Sequence, residues 1–249
     1  MLLRVASYNI HKGMSPLNRH FVLHGVRQAL KALNPDLVFL QEVQGAHQSL
    51  AQLGRPPDPQ HDYLAGDRLF AAYGSNAHYL RGHHGNAILS RFAIIQRSNH
   101  DLTLHRFERR GLLYCQLAVP SWNTPLHAYC VHLNLRAADR RKQLTMLVEQ
   151  IQAQVPSDAP LLLAGDFNDW RGEISAIVAR ELGLLEAFQT LHGEHARSFP
   201  ARMPLLPLDR IYTRGFAIES AEVLHGAPWR SLSDHAPLYS VLTKLDDAR

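Results

Sequence analysis

Eight apolar or alternating segments recur along this chain, and they constrain its fold more than any other feature because such patterns are typical of β-strands. Several of these segments end in a carboxylate, an amide or an imidazole, as in the stretch LLLAGDFND over residues 161–169. A strand that served only to fill a core would not need polar side chains at its end. We predict strands over residues 2–10, 36–43, 86–92, 112–119, 126–135, 160–168, 208–213 and 236–243.

Two segments between these strands, 20–35 and 138–156, repeat their apolar residues with the period of a helix. Helices that alternate with strands, together with direct strand-to-strand connections, favour an α/β chain with mixed sheets. Loops are expected at 54–62, 120–125 and 200–207. None of these loops resembles a linker between independent domains, so we predict a single domain over residues 1–249.

The composition is that of a soluble globular protein, with 46% apolar and 19% charged residues. The first residues lack the apolar stretch of a signal peptide, and no segment approaches the roughly 18 apolar residues of a membrane span, so we expect a cytoplasmic protein. Cys115 and Cys130 lie in apolar segments, and two cysteines are too few for a disulfide framework. We expect both to be buried, reduced thiols.

The net charge of +4 is a weak indication of anionic partners, because the chain has no dense basic run. Only four of its 26 basic residues are lysines. Arginine suits bidentate contacts with phosphate, although a GC-rich genome would give the same bias.

The polar residues at the strand ends are the main functional signal. Each of them alone could cap a turn or satisfy a buried backbone group, but strand ends that share one edge of a sheet would form a single carboxylate-lined cleft. Carboxylates placed close together require a cation or shifted pKa values. Oxygen donors without thiolates favour Mg²⁺ or Mn²⁺, and such a site suits water attack on a phosphate ester. The residues are Asn9, Glu42, His132, Asn134, Asp166, Asn168, Asp209, Asp234 and His235.

The motifs SYNIHKG, LVFLQEV, GNAILSR, CVHLNLR...R..Q, LLLAGDFND, LDRIYT and LSDHAPL occur in this order between residues 5 and 242. Together they resemble the endonuclease/exonuclease/phosphatase superfamily, and the chain is most similar to its small uncharacterised bacterial members. The resemblance implies a four-layer α/β sandwich, in which two mixed β-sheets pack face to face with helices outside and the active site lies at one edge.

The resemblance also implies roles for individual residues. Glu42 would be the principal metal ligand, with Asn9 beside it and Asp234 as a further ligand. Asp166 would orient or deprotonate the attacking water, and Asn168 would hydrogen-bond the phosphoryl oxygen. His235 would contact the phosphate, with its tautomer fixed by Asp209, and His132 would be a second phosphate contact or the general acid. Phosphate-binding positions fall on Asn134 and on one of two arginines, Arg109 or Arg110.

The implied activity is metal-dependent hydrolysis of a phosphodiester by a monomeric enzyme, with nucleic acid as the favoured substrate and Mg²⁺, or alternatively Mn²⁺, as the cofactor. A phospholipid or inositol-phosphate esterase with the same site is the alternative, and a non-catalytic binding module is a third hypothesis. The sequence leaves open the physiological substrate, endo- or exo-action and the number of metal ions.

Several residues next to these motifs also carry expectations about their surroundings. We expect His83 and His84 to lie in a surface loop that lines the cleft, and Trp170 and Trp229 to be packed. Asp169 is expected to be a cap or a partner of the residues that contact the substrate. In an extended strand residues i and i+2 point to the same side, so Asp166 and Asn168 should face one phosphate while Phe167 packs into the core.

Overall fold

The computed structural model describes residues 1–47, 59–80 and 82–245, which form two six-stranded sheets and flanking helices. The first sheet has the order β11-β12-β1-β2-β4-β3, and the second has the order β5-β6-β7-β8-β10-β9. The strands are β1 (Leu2–Asn9), β2 (Leu37–His47), β3 (Phe70–Tyr79), β4 (Gly82–Ser90), β5 (Ala93–Asp101), β6 (Gly111–Ala118), β7 (Leu126–His132), β8 (Leu161–Asp166), β9 (Leu185–Glu186), β10 (Asp209–Arg214), β11 (Phe216–Val223) and β12 (Leu238–Lys244). The α-helices are α1 (Leu23–Leu33), α2 (Gln60–Ala65), α3 (Ala137–Gln154), α4 (Glu173–Leu182) and α5 (Ala187–His192).

Successive side chains of each strand point to opposite faces of its sheet, and this alternation determines which residues fill each layer of the sandwich. Val5 belongs to the apolar cluster between the two sheets, whereas Ala6 faces the cluster under α1. In the second sheet Leu162 faces the first sheet, and Leu163 packs under α3 with Leu147. Successive strand residues point to opposite faces, so each sheet buries one face against its partner and the other beneath helices. The four-layer α/β sandwich with two mixed sheets is thereby confirmed.

Two parallel strand pairs explain why the polar strand ends meet. β1 pairs with β2 in parallel, and β7 pairs with β8 in parallel, so the carboxyl ends of all four strands lie at one edge. His132 stands opposite Asp166 in the second pair. β10 runs antiparallel to β8 and begins at the same edge, with Asp209 opposite Asp166. The topology thus brings carboxylates from distant parts of the chain together.

The structure adds elements that the periodicity did not predict. Strands β3, β5, β9 and β11 and helices α2, α4 and α5 were all missed, and β5 shows why, because its exposed sequence AIIQRSNHD carries little apolar signal at the sheet edge. β4 begins at Gly82 instead of residue 86, and β7 ends at His132 instead of residue 135. The predicted loops 120–125 and 200–207 are confirmed, whereas 54–62 lies partly outside the described residues and partly in α2.

Both cysteines are free and buried, as expected. Within the described residues, no helix has the length and apolar character needed to cross a membrane.

Candidate active site

Three buried side chains form the centre of the site at the carboxyl edge of the second sheet. Asp209 Oδ2 lies 2.8 Å from His235 Nδ1 and accepts a 2.5 Å hydrogen bond from the Ser198 hydroxyl. The other ring nitrogen of His235, Nε2, lies 3.8 Å from Asp166 Oδ2. Asp209 therefore fixes the His235 ring so that its second nitrogen faces Asp166.

Asp166 is held from several directions. Its Oδ2 accepts a 3.1 Å hydrogen bond from Asn9 Nδ2 and lies 3.5 Å from His132 Nε2. Its Oδ1 accepts a 3.0 Å hydrogen bond from the backbone N–H of Asn168. A carboxylate restrained in this way is oriented before any substrate arrives.

Asn168 reaches the site by a different geometry from the one expected. β8 ends at Asp166, and Asn168 adopts a left-handed backbone conformation with φ of 52°. Its Nδ2 donates a 2.9 Å hydrogen bond to the Leu133 carbonyl. The expectation that an extended strand aligns Asp166 and Asn168 was wrong, because a turn places both side chains on one cavity. Phe167 is fully buried, as predicted.

Glu42 is positioned by an irregularity in β2. The pairing of β2 with β4 shifts register between Leu40 and Val43, and Glu42 itself has a φ of 56°. Its Oε2 lies 3.2 Å from the Lys12 ammonium, and the one contact of its Oε1 within the described residues is a long one of 3.4 Å from Asn9 Nδ2. The bulge takes the carboxylate out of the ladder and turns it toward the site.

The surroundings of Asp166 and Glu42 shift the pKa values of these two carboxylates in opposite directions. Burial and the neighbouring charge of Asp209 raise the pKa of Asp166 to about 7. Burial also raises the pKa of Glu42, but the Lys12 ammonium at 3.2 Å, together with the neighbouring histidine rings, outweighs it and lowers that pKa to about 2. Glu42 is consequently a permanent anion, whereas Asp166 is tuned to exchange a proton near neutrality.

The pKa values of His235 and His132 are also shifted in opposite directions. Burial works against a charged His235, but the carboxylates, Asp209 first, raise its pKa to about 10. Burial, reinforced by the Arg110 guanidinium, holds the pKa of His132 well below its usual range. His235 is therefore an imidazolium and His132 is a neutral ring.

These groups open into a cavity of about 410 Å³ that is lined by both polar and apolar side chains, which we call its polar wall and its apolar wall. Its two permanently charged cations among the described lining residues are Lys12 and Arg110. The polar wall consists of Lys12, Glu42, His84, Arg110, His132, Asp166, Asn168 and His235, and the apolar wall consists of Leu135, Trp170, Phe199, Leu206 and Leu208.

The other predicted site residues lie around this cavity or beneath it. Arg110 lines it, whereas Arg109 is exposed and absent from its described lining. Asn134 is fully buried, and its Oδ1 accepts a 3.0 Å hydrogen bond from Gln143. Asp234 lies outside the described lining, and its Oδ2 is 3.4 Å from His11 Nδ1.

Several site residues escaped the sequence reasoning. Lys12 lies in the motif SYNIHKG, but its pairing with Glu42 depends on the fold. Ser198 has no motif that would reveal its bond to Asp209. His84 was expected in a loop, but it lies within β4 and lines the cavity.

The two tryptophans have different outcomes. Trp170 was expected to be packed, but its side chain is 41% exposed and forms part of the apolar wall. Its ring lies 4.7 Å from the Arg140 guanidinium carbon. Trp229 is buried and packs edge-on against Tyr8, as expected. Asp169 accepts a hydrogen bond from the Ile174 N–H at the start of α4, which confirms its capping role.

The donor set of the cavity fits a hard divalent cation. Glu42 is ionised, and one of its oxygens has a single, long contact in the part of the chain that the structure describes. Both cysteine thiols are buried in the core. The ligand atoms of Asp166, Asp209 and His235 also lie within 4.8 Å of one another. In that trio Asp209 Oδ2 already accepts hydrogen bonds from Ser198 and His235. Glu42 is the better anchoring ligand.

The comparisons with known proteins agree with this fold. The sequence model of the Endonuclease/Exonuclease/phosphatase family matches residues 6–235, so the chain belongs to that family. Its enzymes generally depend on a divalent metal. The uncharacterized protein YbhP of Escherichia coli K12 is 43% identical to the chain over 238 residues, which cover 94% of each protein.

Two crystal structures illustrate the likeness in fold. An endonuclease/exonuclease/phosphatase from Beutenbergia cavernae has a TM-score of 0.78 and 19% identity, with 98% of this chain and 72% of that chain covered. D. rerio TDP2 complexed with single strand DNA product has a TM-score of 0.71 and 20% identity, with coverage of 98% and 99%.

Proposed function

We propose that this protein is a divalent-metal-dependent phosphodiesterase that hydrolyses its substrate by in-line attack of water. The observation that carries the proposal is the buried Asp209–His235–Asp166 arrangement beside the ionised Glu42. It combines a carboxylate able to accept a proton, a fixed imidazolium and a cation-binding carboxylate in one cavity. These are the groups that hydrolysis of a phosphate diester requires.

Asp166 is the proposed base. A pKa near 7 allows it to orient a water molecule and to take one of its protons as the water oxygen bonds to phosphorus. The bond from phosphorus to the departing oxygen breaks in the same displacement. The hydrogen bonds that Asp166 accepts from Asn9 and the Asn168 backbone keep one orientation of the carboxylate.

His235 is the proposed electrostatic partner of the phosphoryl group. It is charged at neutral pH, and Asp209 holds its ring so that Nε2 can donate to a phosphoryl oxygen. His132 is neutral, which favours a hydrogen-bonding contact with phosphate over the general-acid role. The Asn168 amide and Arg110 line the same cavity and are suited to the remaining phosphate oxygens.

Glu42 would hold the divalent cation, with Asn9 and Asp234 as the further predicted ligands. When bound, Mg²⁺ or Mn²⁺ supplies Lewis-acid stabilisation of the phosphoryl and leaving oxygens. Asn9 also donates to both Glu42 and Asp166, and its own oxygen accepts the His11 N–H, so it sets the distance between the two carboxylates.

Nucleic acid is the first candidate substrate, as the sequence analysis predicted. TDP2, whose fold is shared, has been crystallised with a single strand DNA product. In this chain the exposed Trp170 ring, which rests on the buried Arg140 guanidinium, offers an aromatic surface on which a base could stack.

A phospholipid is the second candidate, and the apolar wall of the cavity is the observation that favours it. Leu135, Leu206 and Leu208 suit an apolar group on one side of a single phosphodiester. A highly charged inositol polyphosphate fits less well, because the described lining holds only two permanent cations against this wall.

The activity is tested with purified protein, Mg²⁺ or Mn²⁺ and bis-p-nitrophenyl phosphate. Asp166→Asn should lower kcat by about 10²-fold or more, because the amide cannot accept the proton from water. Asp169→Asn is the matched control, since Asp169 caps α4 and lies outside the described cavity lining. Equal activity of wild type and Asp166→Asn would contradict the mechanism. A panel of single-stranded DNA, duplex DNA, RNA and phospholipid then separates the substrates.

A further inference from the structure

Exposed apolar side chains gather in the loops around the mouth of the cavity. Phe107 is 87% exposed and Met203 is 64% exposed, and both lie in loops that enter strands of the second sheet. Isolated exposed apolar residues are ordinary, but a group of them around one opening indicates a contact surface. The group, called here the mouth rim, consists of Phe107, Leu135, Trp170, Met203, Leu205 and Leu206.

Hydrogen bonds connect the loops of the mouth rim to the cavity. Leu135, Trp170 and Leu206 line the cavity directly. The loop with Phe107 joins them through Glu108, whose carboxylate accepts a 3.0 Å hydrogen bond from the Leu135 N–H.

The loop with Met203 and Leu205 is tied to the cavity in the same way. It folds back on Phe199, whose carbonyl accepts hydrogen bonds from the N–H groups of Leu205 and Leu206, each at 2.8 Å. Phe199 lines the cavity and its ring lies 5.0 Å from that of His235. The exposed apolar side chains therefore lie in the same loops that supply residues to the cavity.

The same loops carry exposed positive charge. Arg106 lies over the ring of Phe107, with its guanidinium carbon 4.5 Å from the ring centroid. Carboxylates in these loops are already paired, since Glu108 binds Arg110 and Glu173 lies near both Arg141 and Arg171. The exposed arginines of the loops are Arg106, Arg109, Arg136, Arg171, Arg197 and Arg202.

We infer that the mouth rim docks this protein on an anionic phospholipid surface, with the cavity facing the lipid phosphates. Apolar side chains at loop tips can enter the interfacial region of a bilayer, while arginines beside them contact the phosphate groups. A nucleic acid would use the arginines and Trp170, but it would leave the side chains of Met203 and Leu205 in water. Exposed apolar tips interleaved with arginine are thus better matched by a lipid surface.

The proposed docking does not depend on catalysis. The further claim that the docked protein hydrolyses the phosphodiester of a lipid rests on the proposed function. A phosphodiesterase that docks in this way would act on a headgroup without extracting the lipid. The two parts can be tested separately, because vesicle binding is measured without turnover.

The experiment measures co-sedimentation of the full chain with vesicles of phosphatidylcholine alone and of phosphatidylcholine with 30% phosphatidylglycerol. We expect binding to the anionic vesicles that weakens as salt is raised. The triple variant Phe107→Ser, Met203→Ser and Leu205→Ser should bind them about tenfold or more weakly, since each exposed side chain contributes apolar contact. Circular dichroism and the melting temperature check that this variant is folded.

The matched control is Phe70→Ser, Ile95→Ser and Leu185→Ser, which removes exposed apolar side chains from β3, β5 and β9. It should bind vesicles within twofold of wild type. Asp166→Asn should also bind them normally, so that loss of hydrolysis and loss of docking are distinguished. The proposal is overturned if wild type does not bind anionic vesicles, or if both triple variants lose binding equally. It is also overturned if the mouth-rim variant weakens binding to single-stranded DNA but not to vesicles.

Discussion

The two edges of the sandwich both carry carboxylate and histidine side chains, but these side chains differ in their hydrogen-bond and ion-pair partners. At the edge away from the cavity, Asp36 accepts a 2.8 Å hydrogen bond from the Arg4 N–H and lies 3.1 Å from the Arg91 guanidinium. At the cavity edge, Glu42 has the exposed Lys12 and one long contact. Asp36 therefore has a structural role, whereas Glu42 retains capacity to bind a cation.

The histidines of β7 repeat this contrast. His127, at the start of the strand, lies with Nδ1 2.9 Å from the Tyr114 hydroxyl, away from the carboxylates of the site. His132, at its end, faces Asp166 at 3.5 Å and lines the cavity. Burial lowers the pKa of both rings, so their charge is similar and only their surroundings differ.

The largest expected difference between the edges is in activity. Asp209→Asn should lower kcat by about 10²- to 10⁴-fold, because an amide at this position no longer fixes the His235 tautomer or stabilises its charge. Asp36→Asn should leave kcat/KM within twofold. Both are measured with bis-p-nitrophenyl phosphate at saturating Mg²⁺, and comparable losses in the two variants would remove the distinction between the edges.

The second prediction concerns thermal stabilisation by metal. At a concentration of about 100 times its Kd, Mg²⁺ should stabilise the protein by about 2.7 kcal/mol, which is a rise in Tm of roughly 5 to 10 °C for a chain of this size. Glu42→Gln should lose this shift, whereas Asp36→Asn should keep it. Differential scanning fluorimetry with Mg²⁺, Mn²⁺ and EDTA provides the measurement, and a full shift in Glu42→Gln would place the ligand elsewhere.

The third prediction concerns stability, for which the substitution at Asp36 should have a larger effect than the substitution at Glu42. In EDTA, Asp36→Asn should lower the free energy of unfolding by about 1 to 2 kcal/mol, since it weakens charge-assisted hydrogen bonds to Arg4 and the partly exposed Arg91. Glu42→Gln should lower it by less than about 1 kcal/mol, because the ion pair of Glu42 is made with a half-exposed Lys12 side chain and is screened by solvent. Urea unfolding monitored by tryptophan fluorescence checks both values. Destabilisation by Glu42→Gln equal to that by Asp36→Asn would show that Glu42 is a structural residue.

The smallest expected effect is on the pH dependence of stability. Burial holds the pKa of His127 below its ordinary value of 6.5, so the folded state favours the neutral ring. The contribution of this residue is present above pH 6.5 and is lost as the pH falls below it, because the unfolded chain binds the proton more readily. His127→Gln should show a shallower loss of stability between pH 6.5 and 5 in urea titrations, with unchanged kcat at pH 7.5. An identical slope in the two proteins would argue against a neutral His127.

The sequence was informative where a strand is buried and ends in a polar side chain. The apolar run before Asp166 and the alternation before His132 predicted both strands and the shared edge, since parallel pairing follows from helices between them. Edge strands such as β5 lack this apolar signal because one face meets solvent. Neither the bulge that turns Glu42 nor the left-handed turn at Asn168 has a periodicity that could be detected.

The solvent exposure and the tertiary contacts of a side chain were harder to predict than its membership of a motif. Trp170 and Trp229 look alike in sequence, each followed by an arginine, yet Trp170 lies at the cavity and Trp229 packs against Tyr8. The difference depends on Arg140, which comes from another element and places its guanidinium against the Trp170 ring. Ser198 is a similar case, because its bond to Asp209 joins a loop to the start of β10.

Position 42 is a place where the requirements of folding and of chemistry diverge. A non-glycine residue at φ of 56° costs roughly 1 to 2 kcal/mol. Glycine or asparagine would adopt this conformation at lower cost. Libraries of this chain selected only for stability should therefore replace Glu42 early, whereas libraries selected for phosphodiester hydrolysis should retain it.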